Sequence, residues 1–216
     1  AVASGDGAAY LGTESGDVVR LDGEGREVWQ KSVKSRVRCL AWTNRNMLLV
    51  GTHAGDVIAL DADSADPLWA YACETYHGRT GSVATVFPAD LDGDGKHEVV
   101  AGSDNWHYHA FSEDGELLWR TNTTHASTTG CSGDHDGDGS DEVLAGCEYY
   151  GPSILDSSGK RIGKIYGGPV ITATALLDLD GDGKAEALVG MEDGFVRCRL
   201  ADSEDAWKTN VGGAPT

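Results

Sequence analysis

Apolar and polar residues alternate along this chain in short runs separated by glycine-containing turns, a pattern that is typical of β-strands. A strand ending in glycine is followed by a turn, a second strand ending in leucine or phenylalanine, an acidic turn and a tryptophan. The first unit shows this order as Gly12, Leu21 and Trp29, and five such units follow one another. No stretch has the periodicity of a helix, so the chain is predicted to be all-β.

Each unit supplies four short strands, which is the content of one propeller blade. The sequence therefore predicts a single domain, a five-bladed β-propeller of four-stranded antiparallel blades. The expected blades are residues 1–34, 35–76, 77–125, 126–168 and 169–216. The recurring tryptophans are expected to pack in outer strands, although the fourth unit has Gly163 at that place.

The two ends of the chain predict that the termini close the ring. The last five residues resemble the beginning of an innermost strand, and the first five resemble the end of one. Joining them would remove exposed sheet edges, which favour aggregation. An open fragment of a longer propeller is the alternative.

Three acidic loops, at residues 90–98, 134–142 and 178–186, recur at intervals of 44 residues. Aspartates at positions 1, 3 and 5 with glycine at position 6 can fold their oxygens around a hard cation, and the expected ion is Ca²⁺. An EF-hand would need a glutamate at position 12, whereas these loops place it at position 9 and continue into a strand. Magnesium fits less well, and a solvated acidic turn without metal is the alternative. His97 and His135 are expected to be solvated turn residues.

The units resemble two known repeats. The sequence Gly-Thr-x-x-Gly-Asp-Val-x-x-Leu-Asp followed by Trp is similar to the PQQ-like, quinoprotein-type propeller repeat. The acidic loops resemble FG-GAP or VCBS repeats, whose loops bind calcium in propellers. This resemblance implies three calcium sites, with backbone carbonyls of Lys96, Ser140 and Lys184 as further ligands. The implied ligand residues are Asp90, Asp92, Asp94, Lys96, Glu98, Asp134, Asp136, Asp138, Ser140, Glu142, Asp178, Asp180, Asp182, Lys184 and Glu186. The corresponding turns at residues 4–7 and 43–46 lack these carboxylates, and no metal is expected there.

A second candidate site is indicated where the repeat is broken. Units one, two and five have Gly16, Gly55 and Gly194 in the turn before the third strand, whereas units three and four have Trp106 and Tyr150. Departures from local consistency tend to mark function. These turns share a face with the connections between blades, opposite the acidic loops. The expected ligand-binding residues are Glu74, Tyr76, His77, Arg79, Trp106, His107, Tyr149 and Tyr150, with His125, Ser127 and Thr128 nearby. Aromatics that cap the core or rest in an interface are the alternative.

Charge and cysteine content narrow the class of protein. The net charge of −18 over 216 residues argues against nucleic acid and anionic membranes as partners. The five cysteines are odd in number and form no CxxC motif, which argues against a disulfide framework. Cys131 and Cys147 could still pair across a hairpin. No apolar run is long enough for a membrane span, and the expected location is extracellular or periplasmic.

Two functions remain open. The first is a non-catalytic, calcium-stabilised module that binds a glycan or a protein. The second is a polysaccharide lyase acting on uronate-containing glycans, an interpretation that the resemblance allows, because some lyases that resemble calcium-binding propellers use histidine and tyrosine as acid and base with a neutralising arginine. Its candidate residues are His77, Arg79, His107, His125, Tyr149 and Tyr150. A quinone-dependent dehydrogenase is a weaker third, since no adjacent cysteine pair is present.

Overall fold

A computed structural model describes residues 1–165, 170–200, 205–213 and 215. Every regular element within these ranges is a β-strand, and none is a helix that could cross a membrane. The strands are β1 (Val2–Gly5), β2 (Ala8–Gly12), β3 (Asp17–Leu21), β4 (Glu27–Ser32), β5 (Val37–Trp42), β6 (Met47–Thr52), β7 (Asp56–Asp61), β8 (Pro67–Ala72), β9 (Val83–Ala89), β10 (Glu98–Ser103), β11 (His107–Phe111), β12 (Leu117–Asn122), β13 (Ser127–Gly133), β14 (Glu142–Cys147), β15 (Ser153–Leu155), β16 (Arg161–Lys164), β17 (Ile171–Leu177), β18 (Glu186–Met191), β19 (Phe195–Arg199) and β20 (Asp205–Asn210).

The strands form five four-stranded antiparallel meanders, β1–β4, β5–β8, β9–β12, β13–β16 and β17–β20. The first strand of each sheet contacts the first strand of the next, from β1 through β5, β9 and β13 to β17. These sheets are the five blades of an all-β propeller, which confirms the predicted fold class. Closure of the ring by the termini stays a prediction, and residues 214 and 216 lie outside the described residues.

The recurring glycine of the second strand is explained by the close approach of the next blade. A Cβ atom on Gly12 would lie 2.3 Å from Cγ1 of Val37, and one on Gly51 would lie 2.7 Å from Cγ1 of Val83. Real Cβ atoms do not come so close to a neighbour, because the atoms overlap at these distances. Apolar residues from both blades then complete each core, as Leu49 and Phe111 do between blades two and three.

The tryptophans of the outer strands join neighbouring blades. The indole Nε1 atoms of Trp29, Trp69 and Trp119 donate hydrogen bonds to turn carbonyls of the following blade, Ala62, Glu113 and Ser157, over 3.1, 2.9 and 2.9 Å. The predicted packing role of these three residues agrees with this geometry. Trp207 of blade five differs because 43% of its surface is exposed.

Candidate binding surface and acidic loops

A longer connection between blades two and three forms the first part of the candidate binding surface. Eight positions separate Trp29 from Val37 at the start of the next blade, whereas fourteen separate Trp69 from Val83. Within the longer connection, Tyr76 and Arg79 exchange backbone hydrogen bonds of 3.0 and 2.9 Å. The two residues between them have positive φ, 47° for His77 and 74° for Gly78, which defines a type I′ turn. This turn places Tyr76, His77 and Arg79 beside blade three.

Trp106 occupies a backbone conformation that normally belongs to glycine. Its φ is 71°, close to the 89° and 83° of Gly16 and Gly194 at the same place in their units. A bulky residue in this region is strained by about 1–3 kcal/mol, and such residues concentrate at functional sites. Tyr150, at the matching place in blade four, is not among the residues with positive φ. The two substitutions noticed in the sequence are therefore structurally different.

Aromatic rings from three loop regions come together around Trp106. His77 is stacked on its indole with ring centroids 6.0 Å apart, and His125 approaches it to 5.7 Å. Tyr76 packs edge-on against His77 at 4.4 Å and against His107 at 4.8 Å. The structure thus brings together residues from the β8–β9, β10–β11 and β12–β13 connections, at the end of the strands opposite the acidic loops.

Blade four completes this surface with its two tyrosines. The ring of His125 lies 5.0 Å from that of Tyr149 and 5.1 Å from that of Tyr150. The tyrosines remain 66% and 51% exposed, so they are presented on an open surface. Together with Tyr76, His77, Arg79, Trp106 and Lys164, these three residues are called the aromatic–histidine surface below, and His107 lies beneath them.

Three charged residues of this region behave differently. Glu74, a predicted ligand-binding residue, forms an ion pair with Arg120 instead of standing free. Arg79 places its guanidinium 5.5 Å from the centre of the Trp106 ring. Lys164, which sequence reasoning missed, places its ammonium 4.7 Å from the centre of the Tyr150 ring. Only the pairing of β16 with β15 brings Lys164 there, and no local pattern signals that pairing.

Two histidines lie beneath the surface. His107 is 5% exposed, its Nδ1 is 2.8 Å from the carbonyl oxygen of Asn105, and burial lowers its pKa. His109 is fully buried, and neither ring nitrogen has a hydrogen-bond partner. Burial lowers the pKa of His109 to about 4, because a charged imidazole is not solvated there. His107 therefore supports the surface from below, and His109 was not singled out by its sequence context.

On the other face, the three acidic loops share one hydrogen-bond pattern. The glutamate at position 9 accepts the N–H of position 2 over 2.9 Å in each loop, through Glu98, Glu142 and Glu186. The aspartate at position 1 accepts the N–H of the glycine at position 6 over 3.0 to 3.1 Å. The loops are therefore wound inward by their own carboxylates.

Each loop gathers three carboxylates whose oxygens lie within 4.8 Å of one another. The groups are Asp90, Asp92 and Asp94 in the first loop, Asp134, Asp136 and Glu142 in the second, and Asp178, Asp180 and Glu186 in the third. Burial raises the pKa of Glu98, and it raises that of Glu142 to about 7, with the neighbouring aspartates contributing. In the first loop, Asp94 is paired with Lys96. An all-oxygen donor set of this kind fits a hard divalent cation.

The acidic loops also connect adjacent blades. The N–H of Asp141 donates to the carbonyl of Asp90 over 2.7 Å, and that of Ala185 donates to the carbonyl of Asp134 over 2.7 Å. His135 is 4% exposed with its Nδ1 2.6 Å from the carbonyl of Ala185, so the expectation that it is solvated was wrong. His97 is partly buried and bonds with Asn44 of blade two. The sequence pattern shows neither contact, because both cross between blades.

A cleft of about 660 Å³ opens beside the first acidic loop, between blades three and four. Asp92, Glu98 and Ser140 line it together with Leu118 and Trp119. It lies on the side away from the aromatic–histidine surface. The cleft therefore gives solvent and ions access to the first loop.

The cysteines are free thiols. None of Cys39, Cys73, Cys131, Cys147 and Cys198 is bonded to another, so the possible pairing of Cys131 with Cys147 is not made. Burial raises the pKa of Cys131 to about 11, which keeps it protonated at neutral pH. These thiols serve as small apolar packing groups.

The fold and the repeats define this chain as a β-propeller of PQQ-like units. A family model described as outer membrane protein assembly factor BamB matches residues 14–165. The chain belongs to this family. A BamB protein of Nitrosomonas eutropha is 37% identical to it over 65 residues, which are 30% of this chain and 16% of the relative. The matched part is thus a small fraction of that protein's length.

Solved structures agree on the fold. A chain in the crystal structure of BBS1N in complex with ARL6DN matches with a TM-score of 0.72 and 13% identity, over 96% of this chain and 64% of that one. A chain of a mitotic checkpoint complex matches with a TM-score of 0.78 and 13% identity, over 94% of this chain and 61% of that one. At this identity the likeness concerns the fold alone.

Proposed function

We propose that this chain is a non-catalytic propeller module that presents the aromatic–histidine surface to a protein partner. The observation that carries the proposal is the pair of exposed tyrosines, Tyr149 and Tyr150, held against His125. Tyrosine, tryptophan and arginine are the residues that contribute most at protein interfaces. The family description, an assembly factor of the outer membrane, supports a role in protein assembly and a location in the cell envelope.

Quantitative capture from an envelope extract tests this role. The double variant Tyr149→Ala/Tyr150→Ala is expected to lose the proteins that the native chain retains. Leu118→Ala, which changes an outer-strand side chain that is 49% exposed, is the matched control and should retain them. Equal retention by both variants would show that the tyrosines do not form the binding surface.

A glycan ligand is the second candidate, favoured by the guanidinium of Arg79 over the Trp106 ring. Planar rings can stack on a sugar while an arginine binds a uronate carboxylate. Direct binding of polygalacturonate, with loss in Arg79→Gln, would support this candidate. The lyase alternative predicts in addition a rise in ultraviolet absorbance from unsaturated uronate. Of its residues, His125 contacts Tyr149 and His77 contacts Trp106, whereas His107 is enclosed.

We also propose that the three acidic loops bind Ca²⁺ and that the ions stabilise the fold. The spacing of the carboxylates and the oxygen-only donor groups support this proposal. Asp136→Ala should remove one ion of three while leaving the other two loops occupied. Inductively coupled plasma mass spectrometry measures the stoichiometry, and an unchanged value in the variant would contradict the assignment.

A further inference from the structure

The aromatic–histidine surface carries positive charge on a strongly acidic protein. The chain has a net charge of −18, with 35 acidic and 17 basic residues. Nevertheless Arg79 and Lys164 both lie over rings of this surface, and His77 and His125 stand between them. The side chain of Glu74, the acidic group of the adjacent connection, is held by Arg120. Glu148 adjoins Tyr149 in blade four, so the positive charge of the surface is concentrated at Arg79, on the side of blades two and three.

Arg79, like Arg161, has no carboxylate partner among the described residues, unlike several other arginines of the chain. Arg20, Arg38 and Arg45 form ion pairs with Asp63, Asp104 and Glu113 at 2.6 to 2.9 Å. Among the described residues, none forms an ion pair with Arg79, whose guanidinium contacts only the Trp106 ring. A guanidinium that rests on an aromatic ring keeps its N–H donors in a fixed plane, ready for a carboxylate.

Two enclosed ring nitrogens beside Arg79 also lack partners. Nε1 of Trp106 and Nδ1 of His125 are buried and make no hydrogen bond, and their rings are 5.7 Å apart. Buried polar atoms are nearly always hydrogen-bonded, so these two nitrogens are an unusual feature of this surface, as are the two ring nitrogens of His109 below it. The positive φ of Trp106, which a bulky residue adopts only at a cost in strain, is a second observation at this place.

We propose that the aromatic–histidine surface binds an acidic segment of the protein partner, with a carboxylate received by Arg79 and apolar parts of the segment resting on Tyr149 and Tyr150. This inference depends on the proposed protein-binding function and names the chemistry of the partner. Charge complementarity supports it, because Arg79 offers a guanidinium that no carboxylate neutralises, on a chain that is otherwise strongly acidic.

Fluorescence anisotropy with labelled poly-L-glutamate tests the inference on the whole chain. Binding is expected despite the like net charges, and it should weaken as salt rises. Arg79→Gln should reduce the affinity by about fivefold, the scale of one exposed ion pair. Arg26→Gln is the matched control, since it removes the same charge from a side chain that is 72% exposed in blade one. Poly-L-glutamine should not bind.

The outcomes separate this inference from the function on which it rests. If Arg79→Gln and Arg26→Gln bind poly-L-glutamate with equal affinity, or if the native chain does not bind it, the proposal that the partner segment is acidic is overturned. The tyrosine double variant could still lose partner capture in that case, and the protein-binding function would stand. If the double variant keeps capture, the function itself fails. Binding of polygalacturonate but not poly-L-glutamate would overturn the inference in favour of a glycan.

Discussion

The acidic-loop face and the aromatic–histidine surface lie at opposite ends of the same strands and use the repeat in opposite ways. The acidic loops are three copies of one arrangement, each closed by hydrogen bonds within nine residues. The aromatic–histidine surface is made once, from single departures in blades two, three and four. Repetition is typical of a feature that stabilises each unit, whereas a unique cluster is typical of recognition.

Removal of calcium is expected to have the largest effect on the stability of the fold. The proposed ions all lie on the acidic-loop face. At a calcium concentration of about 100 times Kd, each site would contribute about 2.7 kcal/mol to the free energy of unfolding. Chelation should therefore lower Tm by at least about 10 °C. Differential scanning calorimetry with and without EDTA measures the shift. If Tm does not move, the loops are ordinary turns. The proposed difference between the two faces would then not include stabilisation of the acidic-loop face by calcium.

Acid should weaken the region beneath the aromatic–histidine surface through His109. The pKa of this histidine is about 4 in the folded chain and near 6.5 when unfolded, so only the unfolded state takes up a proton between these values. The contribution of His109 to stability is therefore constant above pH 6.5 and falls as pH drops towards 4, by ~3 kcal/mol in total. Urea unfolding at several pH values measures the slope.

His109→Phe is the matched variant for this prediction, because its neighbours Tyr71 and Phe111 are aromatic. The difference in unfolding free energy between the native chain and the variant should change with pH only below 6.5. Carboxylates titrate in both proteins and cancel in that difference. A constant difference from pH 7 to pH 4 would mean that His109 is solvated when protonated, contrary to its buried position.

Local patterns explain how much of this structure could be predicted. The alternation of apolar residues and the glycines at Gly12 and Gly51 predicted the strands and the blades, because each depends on residues within one unit or on the regular approach of the next. The enclosure of His135, the pairing of Glu74 with Arg120 and the position of Lys164 could not be predicted. These contacts cross between strands or blades, and a shift of one residue in the register of strand pairing would change them all. The binding and metal assignments stay predictions.

The smallest expected effect is the difference in stability between two variants of Trp106, and this comparison separates folding from recognition most directly. In most positions alanine is more stable than glycine, because glycine loses more backbone entropy on folding. At a φ of 71° the order should reverse, so Trp106→Gly should be about 1 kcal/mol more stable than Trp106→Ala. Both variants lose the ring that His77 and Arg79 contact, and both should therefore lose partner binding equally. Chemical denaturation measures the stability and the capture assay measures the binding, on the same samples.

If the glycine variant is the less stable of the two, the backbone at Trp106 is not strained, and the tryptophan is there for packing. If either variant still binds, the indole is not part of the recognition surface, whatever the stabilities are.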